Sequence, residues 1–122
     1  MTLQRQRLGI VGEQLAEAAL VARGYAILER RYVTDRGEID IIADDGGTLV
    51  FVEVRARATT EFGSAAESVT SAKQRQVRRV AVDYLARHQI TNRPCRFDVV
   101  AVERALSDAP AITVYAGAFD GL

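Results

Sequence analysis

The sequence is poor in the residues that build covalent cross-links and soft-metal sites. Among 122 residues there is one cysteine, Cys95, and one histidine, His88. A single cysteine excludes an intrachain disulfide and a cysteine-based zinc site. A single histidine argues against most transition-metal sites and against catalysis of the Ser-His-Asp type. Any bound metal should therefore be a hard ion that prefers oxygen ligands, such as Mg²⁺ or Mn²⁺.

Long apolar segments are also lacking. No long apolar run follows the first basic residues, which argues against a secretory signal peptide, and no stretch is long enough to cross a bilayer. We therefore expect a cytoplasmic protein with no membrane partner. The length, with 48% hydrophobic and 26% charged residues, is typical of one globular domain over residues 1–122.

The charge is balanced overall but unevenly distributed. Sixteen basic side chains match sixteen acidic ones, and Lys73 is the only lysine among the basic residues. Zero net charge does not by itself favour nucleic acid as a partner. However, residues 37–52 carry four acidic and no basic side chains, whereas residues 53–96 carry nine basic and four acidic ones. An acidic segment thus precedes a basic one.

Apolar periodicity predicts an α/β fold with the order αβββαβ and an additional strand. The predicted elements are a helix at 8–23, strands at 25–33, 38–43 and 48–56, a loop at 57–64, a helix at 65–89 with a break near 70–71, and strands at 95–103 and 111–117. Three strands with short connections predict an antiparallel meander. The long helix is a crossover that returns the next strand parallel, which gives a mixed sheet flanked by helices.

Each predicted helix has an apolar face. In the first helix that face contains Val11, Leu15, Ala18, Ala19 and Ala22. In the second helix it contains Val69, Ala72, Val77, Val80, Ala81, Tyr84 and Leu85. Gly24 is well placed to end the first helix.

Acidic side chains interrupt the apolar strands at 38–43 and 48–56. The turn 44–47 is rich in Asp and Gly, which predicts a hairpin. With a two-residue loop at 46–47, Asp40 lies directly opposite Glu53, and both side chains share one face of the sheet. A loop at 45–46 keeps that parity but makes the pair diagonal, whereas a three-residue loop places the two side chains on opposite faces.

The two faces of this hairpin differ in polarity. One is apolar and contains Ile39, Ile41, Ala43, Val50, Val52 and Val54. The other contains Ile42, Leu49 and Phe51 near the turn, then Glu38, Asp40, Glu53 and Arg55, with Glu38 opposite Arg55. Two facing carboxylates repel, so both are exposed, one is protonated, or a cation binds both. Alternatively, this is a solvated strand face on which arginines neutralise the acids.

Five motifs carry a resemblance to a known family. GEQLAEAAL, GEIDIIA, VFVEVRAR, FGSAAESVTSAKQRQ and RFDVVAVE occur in this order over about residues 9–103, and they resemble the bacterial YraN-like family of small predicted endonucleases. GEID followed by FVEVRAR also resembles the PD-(D/E)XK nuclease superfamily, whose restriction-endonuclease fold is shared with archaeal Holliday-junction resolvases. The resemblance implies a restriction-endonuclease-like αβββαβ core and a metal-dependent endonuclease acting on branched or structured DNA.

The resemblance also implies roles for individual residues. Asp40 and Glu53 would bind Mg²⁺ or Mn²⁺, and the helix acid Glu13 would complete the metal site or position a water. Arg55 stands where the superfamily motif has lysine. Because arginine does not give up its proton, Arg55 is expected to contact phosphate, and the metal or another base must activate water.

Further residues are candidates for contacts with the DNA backbone, which are salt-sensitive and independent of sequence. They are Arg57, Lys73, Arg75, Gln76, Arg78 and Arg79, for which a solvated helix face is the alternative. Likeness to the resolvases implies a homodimer. Asp98 is expected to be a structural partner for an arginine, and His88 to interact with the last carbonyls of its helix.

The sequence is also compatible with two other classes of function. The first is a non-catalytic module of the same fold that binds nucleic acid or a protein, in agreement with arginine at position 55. The second is a structural partner protein whose charged hairpin faces water.

Overall fold

The computed structural model describes residues 2–59 and 68–122. Within these ranges the chain forms two helices and five strands: α1 Leu3–Ala22, β1 Ala26–Thr34, β2 Gly37–Asp45, β3 Thr48–Ala56, α2 Ser71–Arg87, β4 Cys95–Glu103 and β5 Ala111–Phe119. The predicted α/β class is confirmed, and the additional strand is β5. Neither helix combines the length and the apolar character that crossing a membrane requires.

The strands form one mixed sheet in the order β1-β2-β3-β4-β5. β3 and β4 pair in parallel, whereas the other neighbouring strands pair antiparallel. This arrangement confirms the meander followed by a crossover and is consistent with a restriction-endonuclease-like core. One core cluster packs residues of α1 against the sheet, and a second packs residues of α2 against it, so a helix covers each face.

The buried face of α1 differs from the predicted one. Its buried residues are Gly12, Ala16 and Leu20, whereas Ala18 and Ala22 are exposed. The reason is the close approach of the helix to β3: a Cβ atom at Gly12 would lie 2.5 Å from the Cβ atom of Ala56. The buried face therefore includes Gly12, although glycine contributes little to an apolar pattern.

Both helices begin at a threonine cap. The hydroxyl of Thr2 accepts a hydrogen bond from the Arg5 amide at 3.1 Å, so α1 begins five residues before the predicted start. Thr70 accepts from the Lys73 amide at 3.2 Å, so the predicted break near 70–71 is the start of α2. The predicted loop and helix residues at 60–67 lie outside the described residues.

The α2 face is close to the predicted one. Val77, Val80, Ala81 and Tyr84 are buried against the sheet, whereas Ala72 is exposed, contrary to the prediction. Ala72 lies in the first turn, where the helix has not yet reached its main contact with the apolar cluster. His88, at the other end of the helix, bonds through Nδ1 to the carbonyl of Tyr84 at 2.9 Å, as predicted.

The alternation of side chains along β2 breaks at Asp40. Ile41 packs in the cluster with α1, whereas Ile39 packs in the cluster with α2, so the prediction that they share a face was wrong. The backbone of the paired strand β1 is also irregular, because Arg31 has a φ of 50°. The two neighbouring arginines of β1 both form ion pairs with α1, Arg30 with Glu17 and Arg31 with Glu13.

Asp98 is fully buried in a structural network. Its carboxylate accepts hydrogen bonds from the Tyr25 hydroxyl at 2.8 Å, from Arg96 Nε at 2.8 Å and from the Gly117 amide at 3.0 Å. Arg96 also bonds to Asp45, 2.9 Å away, at the turn of the hairpin. The predicted structural role of Asp98 is therefore confirmed, because a buried carboxylate with this many donors is fully paired.

Candidate functional site

The candidate site lies where the β2–β3 hairpin opens away from its turn. Regular pairs run from Asp45 with Thr48 to Ile41 with Val52, which is the register expected for a loop at 46–47. The next residues, Asp40 and Glu53, line the same cleft. Because the regular ladder of pairs ends just before them, their side chains lie where the backbone pairing of the two strands changes.

Asp40 is held by the backbone of the neighbouring strand. Its Oδ2 atom accepts a hydrogen bond from the Val54 amide at 2.8 Å, so a side chain takes the place of a strand carbonyl. Burial and the nearby Glu53 carboxylate raise the pKa of Asp40 to about 7. The hydrogen bond from Val54 lowers this pKa but does not cancel the rise. The Asp40 carboxyl is therefore fixed in position but poorly neutralised.

Glu53 is buried, with 4% of its surface exposed, and two cations approach it. Its Oε2 atom lies 3.4 Å from Arg55 Nε and 3.8 Å from Lys73 Nζ. Arg55 also donates from Nη2 to the Ser68 carbonyl at 3.5 Å, whereas its buried Nε has no hydrogen-bond partner within the described chain. The first turn of α2 thus brings the single lysine to the carboxylate of β3.

Glu13 approaches Asp40 from α1. Burial raises the pKa of the Glu13 carboxyl, the bond from Arg31 Nε at 3.1 Å opposes that rise, and the Asp40 carboxylate adds to it. Glu13 is therefore close enough to Asp40 for the two charges to interact. Its own carboxylate, however, is engaged with Arg31.

Two clefts meet at these acids. The larger, of about 850 Å³, runs between α1 and the first two strands, and its lining includes Arg5, Glu13, Arg31 and Asp40. The smaller, of about 400 Å³, is lined by Arg5, Glu13, Asp40 and Glu53 among others. Asp40 and Glu13 therefore line both clefts.

The three acids are not drawn together tightly enough to form a metal cluster by themselves. Within residues 2–59 and 68–122, no group of three or more His, Cys, Asp or Glu side chains has the arrangement of a metal site. What the structure does provide is the interacting pair Asp40 and Glu53, with oxygen atoms of the type that Mg²⁺ and Mn²⁺ prefer. The poorly neutralised Asp40 carboxyl makes this pair suited to a divalent cation.

The residues predicted to contact nucleic acid lie in different environments. Lys73 is at the acids, as described above. Arg57 is half-buried, and its backbone bonds to Val102 and Ala105, which extends the contact between β3 and β4. Gln76 donates to the carbonyl of Arg36 at 3.3 Å and packs on the β1–β2 turn. Arg79 is exposed on the outer side of α2.

Two arginines of the site were not predicted from the sequence. Arg31 pairs with Glu13, and Arg5 lines both clefts. Arg31 lies in a strand with two adjacent arginines, and nothing in the local pattern distinguishes it from a solvated residue. Arg5 lies before the predicted helix start, so a better estimate of the Thr2 cap could have placed it on α1.

Comparison with known proteins identifies relatives over most of the chain. Residues 12–102 match the model of a family described as uncharacterised protein family UPF0102. A UPF0102 protein of Moorella thermoacetica is 49% identical over 102 residues, which cover 84% of this chain and 85% of that protein. One from Symbiobacterium thermophilum is 52% identical over 98 residues, covering 80% and 83%. One from Chlorobaculum parvum is 47% identical over 110 residues, covering 90% and 85%.

Proposed function

The chain belongs to the UPF0102 family, the YraN-like family that its motifs resemble, and we propose that it is a metal-dependent endonuclease that hydrolyses phosphodiesters in branched or structured DNA. Asp40 and Glu53 are the proposed metal-binding residues, with Mg²⁺ or Mn²⁺ as the ion. Placement in the PD-(D/E)XK superfamily is part of this proposal.

One observation carries the proposal: two carboxylates from adjacent strands interact at the junction of two clefts, and one of them is poorly neutralised. Burial and Glu53 raise the pKa of Asp40 to about 7, and a cation bound by both carboxylates would oppose that rise. The donor atoms are oxygens, which suits a hard divalent ion. When bound, such an ion would polarise a phosphoryl oxygen and lower the pKa of a bound water.

Lys73 supplies what Arg55 cannot. Its ammonium group lies 3.8 Å from Glu53 and can lose or donate a proton, whereas a guanidinium stays charged. We propose that Lys73 takes the role of the lysine that the superfamily motif has at position 55. The Nε atom of Arg55 is buried against Glu53, so Arg55 would then hold a phosphate oxygen through its terminal Nη groups.

A second candidate function is a non-catalytic module of the same fold that binds nucleic acid or a protein. The ion pairs favour it: Glu13 is engaged with Arg31, and Glu53 has both Arg55 and Lys73 close by. In this alternative, the cations of the chain itself stabilise the acidic residues, and a metal ion is not needed.

Cleavage assays distinguish the two functions. Purified protein is incubated with labelled four-way junctions, flaps and single strands in Mg²⁺, in Mn²⁺ or in EDTA. The nuclease proposal expects cleavage in the presence of metal only, lost in both Asp40→Asn and Glu53→Gln and retained in Asp35→Asn, an exposed control. Binding of the same DNAs without cleavage in either metal would favour the module.

A further inference from the structure

The outer side of α2 presents a cluster of arginines that the proposed active site does not use. Arg36 from the β1–β2 turn joins three residues of the helix, Arg75, Arg78 and Arg79. Together they line an open depression of about 410 Å³, whose remaining lining is Val82, Gly121 and Leu122. We refer to these four arginines as the α2 arginine face.

The arginines of this face form no ion pairs within the described residues, although the backbone of Asp120 contacts Arg78. The chain pairs many of its other arginines with acids, namely Arg30, Arg31, Arg55, Arg87, Arg93 and Arg96. Four neighbouring cations repel one another, and an anionic partner with closely spaced charges would relieve that repulsion.

The face is built by specific contacts and is not an accidental gathering of surface residues. Gln76 donates to the Arg36 carbonyl at 3.3 Å and holds the turn against the helix. Gly37 has a φ of 137°, and a Cβ atom there would lie 2.5 Å from Gln76 Nε2, so this contact requires glycine. Arg78 donates to the Asp120 carbonyl at 2.9 Å, which holds the C-terminal residues at the other side of the depression.

The face lies on the opposite side of α2 from the proposed active site. Lys73 points inward to Glu53, whereas Arg75 and Arg79 are exposed, as expected for positions rotated by about 200° and 240° around a helix. A helix with its side chains is about 10–12 Å wide. The DNA strand at Glu53 and a phosphate backbone on the outer side of the helix would therefore be different stretches of backbone, and a junction arm beside the cleaved strand would supply the second one.

We propose that the α2 arginine face binds the sugar–phosphate backbone of a second DNA segment, which makes the protein selective for branched DNA over a linear duplex. The proposal rests on the proposed function for the identity of the substrate. Contacts to phosphates give affinity without regard to sequence, and they weaken as salt rises. Arginine suits this role because its planar guanidinium can donate two hydrogen bonds to one phosphate.

The test compares Arg75→Gln/Arg79→Gln with the parent protein by fluorescence anisotropy. The DNAs are a four-way junction and a linear duplex of one of its arms, in EDTA and at several salt concentrations. We expect the parent to prefer the junction. The double variant should bind the junction about tenfold more weakly, with the slope of log K against log salt reduced by about 2, and should lose that preference. The control is Arg23→Gln/Arg87→Gln, which removes the same charge from the far ends of the two helices.

Several results would overturn the proposal. These are no binding of either DNA by the parent at low salt, an unchanged salt slope in the double variant, equal losses on junction and duplex, or an equal loss in the control. Tighter binding of an RNA duplex of the same sequence would overturn the assignment to DNA. Cleavage assays of the same proteins separate the two proposals: a parent that binds junctions through the face but never cleaves them refutes only the nuclease.

Discussion

At the scale of the residue, Asp40 combines constraints that are rarely found together. Its side chain accepts a strand hydrogen bond from Val54, lies beside the Glu53 carboxylate and lines two clefts. A side chain in this position is held rigidly while its charge is poorly neutralised. Without a bound cation, the folded protein therefore favours the protonated form of Asp40 below about pH 7.

The stability of the metal-free protein should consequently depend on pH through Asp40. The folded pKa is about 7 and the ordinary value is 3.8, so between these values the folded state holds a proton that the unfolded state has lost. The free energy of unfolding should thus fall as pH rises through this window, by at most about 1.4 kcal/mol per pH unit for one proton. Urea denaturation of the parent and Asp40→Asn, at steps from pH 4 to pH 8 in EDTA, measures the difference.

Asp40→Asn is the matched variant, because an amide oxygen can still accept the hydrogen bond from Val54. Its advantage over the parent should grow as pH rises from about 4 and level off above about pH 7. Parallel stability curves for the two proteins would show that Asp40 is already ionised in the folded state at acid pH.

Substitutions of Lys73 separate a proton-transfer role from a charge role. Lys73→Arg keeps a cation near Glu53 but cannot release its proton, and Lys73→Met removes the charge. If Lys73 takes part in proton transfer, we expect the single-turnover cleavage rate of both variants to fall at least about 100-fold. This is the usual contribution of a general acid or base. DNA affinity in EDTA should fall in Lys73→Met only. A cleavage rate within a few-fold of the parent in Lys73→Arg would leave Lys73 a purely electrostatic role.

At the scale of the element, α1 is placed by a glycine. A Cβ atom at Gly12 would meet Ala56 Cβ at 2.5 Å, whereas nothing lies within 4 Å of a Cβ atom at Gly9 on the same helix. The close contact at Gly12 sets the distance between α1 and β3. The neighbouring residue, Glu13, thereby reaches the acids of the sheet.

The two glycines should respond oppositely to alanine. Gly9→Ala should stabilise the protein by up to about 1 kcal/mol through helix propensity, and Gly12→Ala should destabilise it by about 1–3 kcal/mol because the helix must move. Thermal unfolding of both variants measures the difference. In a double-mutant cycle, Ala56→Gly should be less harmful in the Gly12→Ala background, since it removes the contacted atom. Equal melting temperatures for the two single variants would contradict the close contact.

At the scale of the whole molecule, two helices on opposite faces of one sheet bring their polar residues to the same pair of strands. Glu13 comes from α1 and Lys73 from α2, and both reach the acids of the opened hairpin. A ligand bound there would connect the two layers through the sheet. Its binding should therefore be measurable as stability of the entire fold.

Divalent metal should raise the melting temperature of the parent at pH 8, where Asp40 is ionised. At a metal concentration ten times its Kd, the gain is about 1.4 kcal/mol, which corresponds to a few degrees for a domain of this size. Differential scanning calorimetry with Mg²⁺ or Mn²⁺, against NaCl of equal ionic strength, measures it. Asp40→Asn and Glu53→Gln should show no gain, and Asp35→Asn should match the parent. An equal rise in all four proteins would indicate binding elsewhere.

The sequence by itself determined the features that depend on neighbours in the chain. The bounds of β3 and β4 follow from short apolar runs between turn residues. The two-residue turn predicted the register from Asp45 with Thr48 to Ile41 with Val52, which ends just before Asp40 and Glu53. Strict alternation of side chains predicted the wrong face for Ile39. The alternation breaks in β2 beside the irregular backbone of β1 at Arg31.

Only the tertiary structure decided which charges meet. The pairing of Glu13 with Arg31, the approach of Lys73 to Glu53 and the true buried face of α1 all join segments far apart in the chain. Local periodicity contains no information about such distances, because a helix can rotate by one residue without changing its composition. The packing of Gly12 on Ala56 selects the rotation of α1, and the Thr70 cap sets where α2 begins and places Lys73 in its first turn.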